Sequence, residues 1–112
     1  MDTLTWSDFE QVDMRVGTIV DVQDFPEAHT PAYKLTINFG PEVGTLRSSA
    51  QITDLYTKDD LQGKQIIGVV NFPPKQIGPM MSECLVTGFH RSNDAVVLAT
   101  PDANVPNGTR LV

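Results

Sequence analysis

The chain has 112 residues, 40% of them hydrophobic, and a formal net charge of −6; that is enough for one compact domain with its own core and too little for two. No apolar run approaches the roughly 20 residues of a membrane helix, so no membrane insertion is expected, and the acidic start MDTLTWSDFE lacks the basic and apolar parts of a secretory signal. The single cysteine, Cys84, excludes an internal disulfide framework and fits a reducing compartment, so a cytoplasmic location is expected.

The charge is unevenly placed. Residues 1–27 hold seven acids against Arg15 alone, whereas the remaining 85 residues carry seven of each sign. Such a balance is not the footprint of a general nucleic-acid binder. Contact with nucleic acid would need shape and a local basic patch.

In chain order, Ser7 with Glu10 three residues on reads as a capping box opening a short helix. In MRVGTIVDVQDF, Met14, Val16, Val20 and Val22 share one parity, which predicts a half-buried strand. Gly17 within it points to a bulge or a close backbone approach. YKLTINF alternates cleanly, with Tyr33, Leu35, Ile37 and Phe39 to one side. GPEVG is a tight turn using the fixed φ of Pro41, and TLRSS returns antiparallel. AQITDLYTKDDLQGK is the other place for a helix, ended by Gly63. QIIGVVNF, SECLVTGF and AVVLATP are further strands, the last two joined by the polar turn HRSND. PDANVPNG carries two turn signals. Five or six short strands, with one helix between the middle ones, describe a small all-β barrel forming a single domain over residues 1–112.

Catalytic chemistry is largely missing. His29, His90 and Cys84 have no metal-ligand spacing, so no metal or cofactor is expected. Cys84 on an alternating strand reads as packing. No nucleophile elbow or phosphate loop occurs. The protein is read as a non-enzyme. More telling is NFPPKQIGPMMSECLVTG, residues 71–88. Pro73 and Pro74 cannot donate ladder hydrogen bonds and must end the preceding strand near Phe72. The connection then carries Ile77, Met80 and Met81, side chains suited to varied apolar partners. They either fold back onto the barrel, meet a second subunit or receive a client.

VDMRVGTIVDVQDFPEA, PAYKLTINFG, SSAQIT, VVNFPPKQIGPMMSECLVTG and PDANVPNG together resemble the CsaA family, over nearly the whole chain. More broadly they resemble the tRNA-binding domain appended to some methionyl- and phenylalanyl-tRNA synthetases. Val12–Gly17 match the early motif of that wider group, with Met14 in the aliphatic place. Asn71, Pro74 and Ser82 match the late one, while Cys84 and Leu85 stand where Gly-Met is usual. The resemblance implies a five-stranded OB-fold barrel with a short N-terminal helix and a helix between strands three and four, assembled as a homodimer. It also implies chaperone-like binding of unfolded or preprotein segments in aid of protein export, and tRNA binding.

For polypeptide, the candidate contacts are Phe72, Ile77, Met80 and Met81, with Tyr33 and Phe39 assigned to the core. A groove of that kind needs only apolar contact and strand-edge hydrogen bonds. For RNA, Lys34 and Arg47 lie on strands that could form the ligand face of such a barrel, with Lys75 on the loop beside it. Asn71, Gln76 and Ser82 would supply hydrogen bonds, although Asn71 could instead cap a strand end. A third reading uses the loop methionines and the C-terminal NGTRLV to seal two subunits.

Overall fold

The computed structural model describes all residues, Met1–Val112. Helix α1 (Trp6–Glu10) leads into the long strand β1 (Met14–Asp24). Strands β2 (Tyr33–Asn38) and β3 (Thr45–Ala50) follow, joined by a single helical turn, α2 (Gly40–Val43). Helix α3 (Lys58–Leu61) separates β3 from β4 (Gln65–Val69). Five short strands complete the chain: β5 (Lys75–Ile77), β6 (Met80–Ser82), β7 (Leu85–Val86), β8 (Gly88–His90) and β9 (Val96–Leu98).

The main sheet has the order β3-β2-β1-β4-β7, and every pairing in it is antiparallel. It bends until β3 meets the segment before β7. There the Glu83 N–H donates to the Arg47 carbonyl at 2.8 Å, and the Ser48 hydroxyl donates to the Cys84 carbonyl at 3.1 Å. Ser48 is the one buried polar residue, and that bond satisfies it. The result is the expected five-stranded OB-type barrel, with α1 in front and α3 between strands three and four. Hairpins β5–β6 and β8–β9 stand outside the sheet.

Phe39 organises the interior. It is fully buried among Ile19, Leu35, Ile37 and Ile66. A Cβ on Gly17 would lie 2.7 Å from its ring and 2.6 Å from Ile37, and one on Gly68 would lie 2.8 Å from the ring. The close approach predicted at Gly17 is therefore real, and it makes room for an aromatic ring against two strands. Tyr33, packed beside this core, donates its hydroxyl to the Tyr56 carbonyl at 2.8 Å.

Several local expectations give way. Thr5, not Ser7, caps α1: it has the extended backbone a cap requires, and its hydroxyl oxygen accepts from the Asp8 N–H at 3.1 Å. In β1 the register slips between Ile19 and Asp21, so Val20 is the extra residue of a bulge and is exposed. Ile19 opposes Ile37 before the bulge and Val22 opposes Leu35 after it, so the core face changes parity. The helix expected across residues 50–64 shrinks to one turn, opened by a Thr57–Asp60 capping box. Tertiary bonds at Tyr56 hold the preceding residues out of it: its carbonyl receives Tyr33 and its hydroxyl accepts the Leu98 N–H. SECLVTGF divides into β7 and β8, because Thr87 turns from Ile67 to Ala99 for its backbone partners. The connection PPKQIGPMM, read as a loop, is a hairpin, turning at Gly78 with φ +54°.

Candidate functional site

Two regions of the barrel are built differently. In one, the early motif ties the chain termini together. Arg15 donates to both carboxylate oxygens of Asp13, at 2.6 and 3.2 Å, and to the Gly108 carbonyl at 3.0 Å. The hydrogen-bonded Arg15 guanidinium holds the Asp13 carboxyl below its ordinary range, against an opposing effect of burial. The tail runs along β1: the Val16 N–H donates to the Thr109 carbonyl and the Leu111 N–H to the Met14 carbonyl, and Arg110 reaches back to the Glu10 carbonyl. Asn71 belongs to this frame as well. Its Oδ1 accepts from the Asp13 N–H at 3.0 Å and its Nδ2 donates to the Gln11 carbonyl at 2.7 Å. Both ends of that amide are engaged by backbone, the arrangement of a strand-end cap.

The other, beginning at Phe72, is an open cleft of about 1310 Å³. One wall is Phe72–Ile77, and the other is Glu83–His90 with the end of β3. Its exposed apolar side chains are Phe72, 54% accessible, Leu85, 49%, and Phe89, 68%. Large apolar groups left open together on a small domain mark an interaction surface. Pro73 and Pro74 hold the first wall as it leaves the sheet, and they limit the ordering that binding would require.

Of the proposed peptide contacts, Phe72 and Ile77 line this cleft, while Met80 and Met81 do not. Strand alternation puts the two adjacent methionines on opposite faces of the hairpin. Met80, 3% accessible, packs with Phe25, Ala32 and Ile77 in a small cluster apart from the main core. Met81 is 44% accessible and lies outside the cleft lining.

The proposed RNA contacts also separate. Lys34 opposes Ser49 and Arg47 opposes Thr36, so both cations sit on the outer face of β2 and β3. Lys34 carries its ammonium 5.5 Å from the centre of the Phe25 ring. Lys75, Gln76 and Ser82 instead line the apolar cleft. Gln76 donates to the Gly78 carbonyl at 2.6 Å, bracing its own turn, and Ser82 Oγ accepts the Ser49 N–H at 3.1 Å. Burial pushes the Cys84 thiol up to about 12, so it stays protonated and packs in the core.

Sequence reasoning missed Leu85 and Phe89. Reading SECLVTGF as one alternating strand left no cause to look outward. The available signal was Phe89 beside His90 and Arg91, an aromatic residue next to a polar turn.

The fold and the cleft define a barrel-type binding module. A family model described as "Putative tRNA binding domain" matches residues 14–110, and the chain belongs to that family. The crystal structure of a CsaA chaperone protein from Picrophilus torridus is 51% identical with a TM-score of 0.91, covering 98% of this chain and 100% of its own. That of chaperone CsaA from Bacillus anthracis is 44% identical with a TM-score of 0.92, covering 99% and 100%. Methionine–tRNA ligase of Thermococcus onnurineus is 32% identical over 111 residues, 99% of this chain but 15% of the enzyme. The chain therefore spans about a seventh of that relative.

Proposed function

We propose that the protein is a CsaA-like chaperone that holds unfolded or preprotein segments in aid of export, with no catalytic step. The observation that carries this reading is the open cleft walled by Phe72, Ile77, Leu85 and Phe89. An extended apolar segment laid there would bury side chains at about 25 cal/mol for each Å² removed from water. Binding of this kind depends weakly on salt, in contrast to the losses of about a thousandfold or more that phosphate-neutralising proteins suffer between 50 and 200 mM. A peptide array scanned with the full chain tests it: enrichment of apolar segments is expected, and uniform or absent retention would rule the chaperone role out.

Binding of tRNA is the second reading, favoured by the family model and by Lys34 and Arg47 sharing the outer sheet face. Retention of total tRNA on filters at two salt concentrations examines it. No retention at either removes this role. We place the assembly as a homodimer, supported by the resemblance and by the exposed Leu4, Trp6, Leu111 and Val112 near the chain ends. Sedimentation showing only a monomer would refute that assembly.

A further inference from the structure

The chain is acidic overall, yet its cations are spent unevenly. Arg15 pairs with Asp13 and Glu42, Lys58 with Asp24, and Arg110 with Asp13. Lys75, on the wall of the cleft, has no ionic partner. Beside it, directly across the hairpin, stands Ser82. The Ser82 oxygen already accepts the Ser49 N–H, which leaves its hydroxyl proton free to donate into the cleft. The only carboxylate in the lining is Glu83, and its Oε1 is held by the Arg47 N–H at 2.9 Å.

We infer that the cleft selects apolar polypeptide segments carrying a carboxylate, with Lys75 and the Ser82 hydroxyl receiving it. This rests on the polypeptide reading above and narrows it. Residues on facing strands stand roughly 5 Å apart at their Cβ atoms, so an ammonium and a hydroxyl can converge on one carboxylate. Phe72 and Leu85 then take the apolar neighbours of that group. A polypeptide is favoured over a phosphate chain because Lys75 is the only lysine or arginine in a lining that also holds His29, His90 and Glu83, and polyanions are held by several bases. The carboxylate can come from an acidic side chain or from a chain end.

Fluorescence polarisation with the full chain and four versions of one labelled apolar nonapeptide separates these sources. The versions carry a central aspartate with an amidated end, a central asparagine with a free end, a central asparagine with an amidated end, and a central lysine with an amidated end. One exposed ion pair changes affinity by up to about fivefold. The aspartate version, the free-end version or both should bind about threefold to fivefold more tightly than the neutral peptide, and the lysine version more weakly. Lys75→Gln should bind all four alike. Equal binding of all four by the natural protein, or a preference that survives Lys75→Gln, would overturn the inference and leave the polypeptide reading standing. Binding of none would overturn both. Displacement of the peptide by oligouridylate at matching concentration, lost in Lys75→Gln, would show a phosphate site and also overturn it.

Discussion

The frame that ties the termini and the cleft that begins beside it at Phe72 handle their polar groups in contrasting ways. In the frame, Asp13, Arg15 and Asn71 spend their side chains on backbone and on one another. In the cleft wall, Phe72, Leu85, Phe89 and Lys75 leave theirs unused. The family-motif residues Asp13, Arg15, Gly17 and Asn71 thus serve the barrel, whereas Pro74 and Ser82, which match the late motif, line the cleft beside residues that belong to no motif match.

The contrast can be broken most forcefully from inside. Phe39→Ala should cost about 3–5 kcal/mol in urea denaturation, as expected for a buried aromatic; a loss below about 1 kcal/mol would mean the ring is not the keystone described. Gly17→Ala should cost about 1–3 kcal/mol, because the new methyl meets Ile37 and Phe39 under 3 Å away. A neutral result would show that the ring can retreat. On the cleft side the order of effects reverses. Phe89→Ala should leave stability within about 0.5 kcal/mol and weaken apolar peptide binding by roughly tenfold, the loss of an anchoring aromatic.

A smaller effect tests the frame by acid. The Asp13 carboxyl titrates below its ordinary value in the folded chain, so its contribution is fully present above about pH 4 and fades as pH falls through the folded value. Asp13→Asn should flatten that part of the acid-unfolding curve, and an unchanged curve would remove the pair from the account. The least consequential change should be Met81→Ala, within about 0.5 kcal/mol in stability and silent in peptide binding. A measurable loss of affinity would put the outer hairpin face back among the contacts.

The barrel was legible in the sequence because Tyr33, Leu35, Ile37 and Phe39 alternate without interruption and Gly17 marks the crossing beneath them. Side-chain placement next to irregularities was not. A single bulge residue, Val20, reversed the parity of β1, and the Pro-rich segment hid a hairpin whose alternation sent Met80 inward and Met81 outward. Phe72, Ile77 and Lys75 were found because the prolines drew attention to that wall. Leu85 and Phe89 lay across a strand break fixed only by the long-range partners of Thr87, which no local pattern encodes.

The most direct measurement replaces Phe89 with a photoreactive phenylalanine and irradiates the full chain with an unfolded polypeptide, total tRNA and nothing else present. The account predicts cross-links to the polypeptide, reduced by an excess of unlabelled apolar peptide. Capture of tRNA or of a second copy in its place, with the polypeptide untouched, would contradict it.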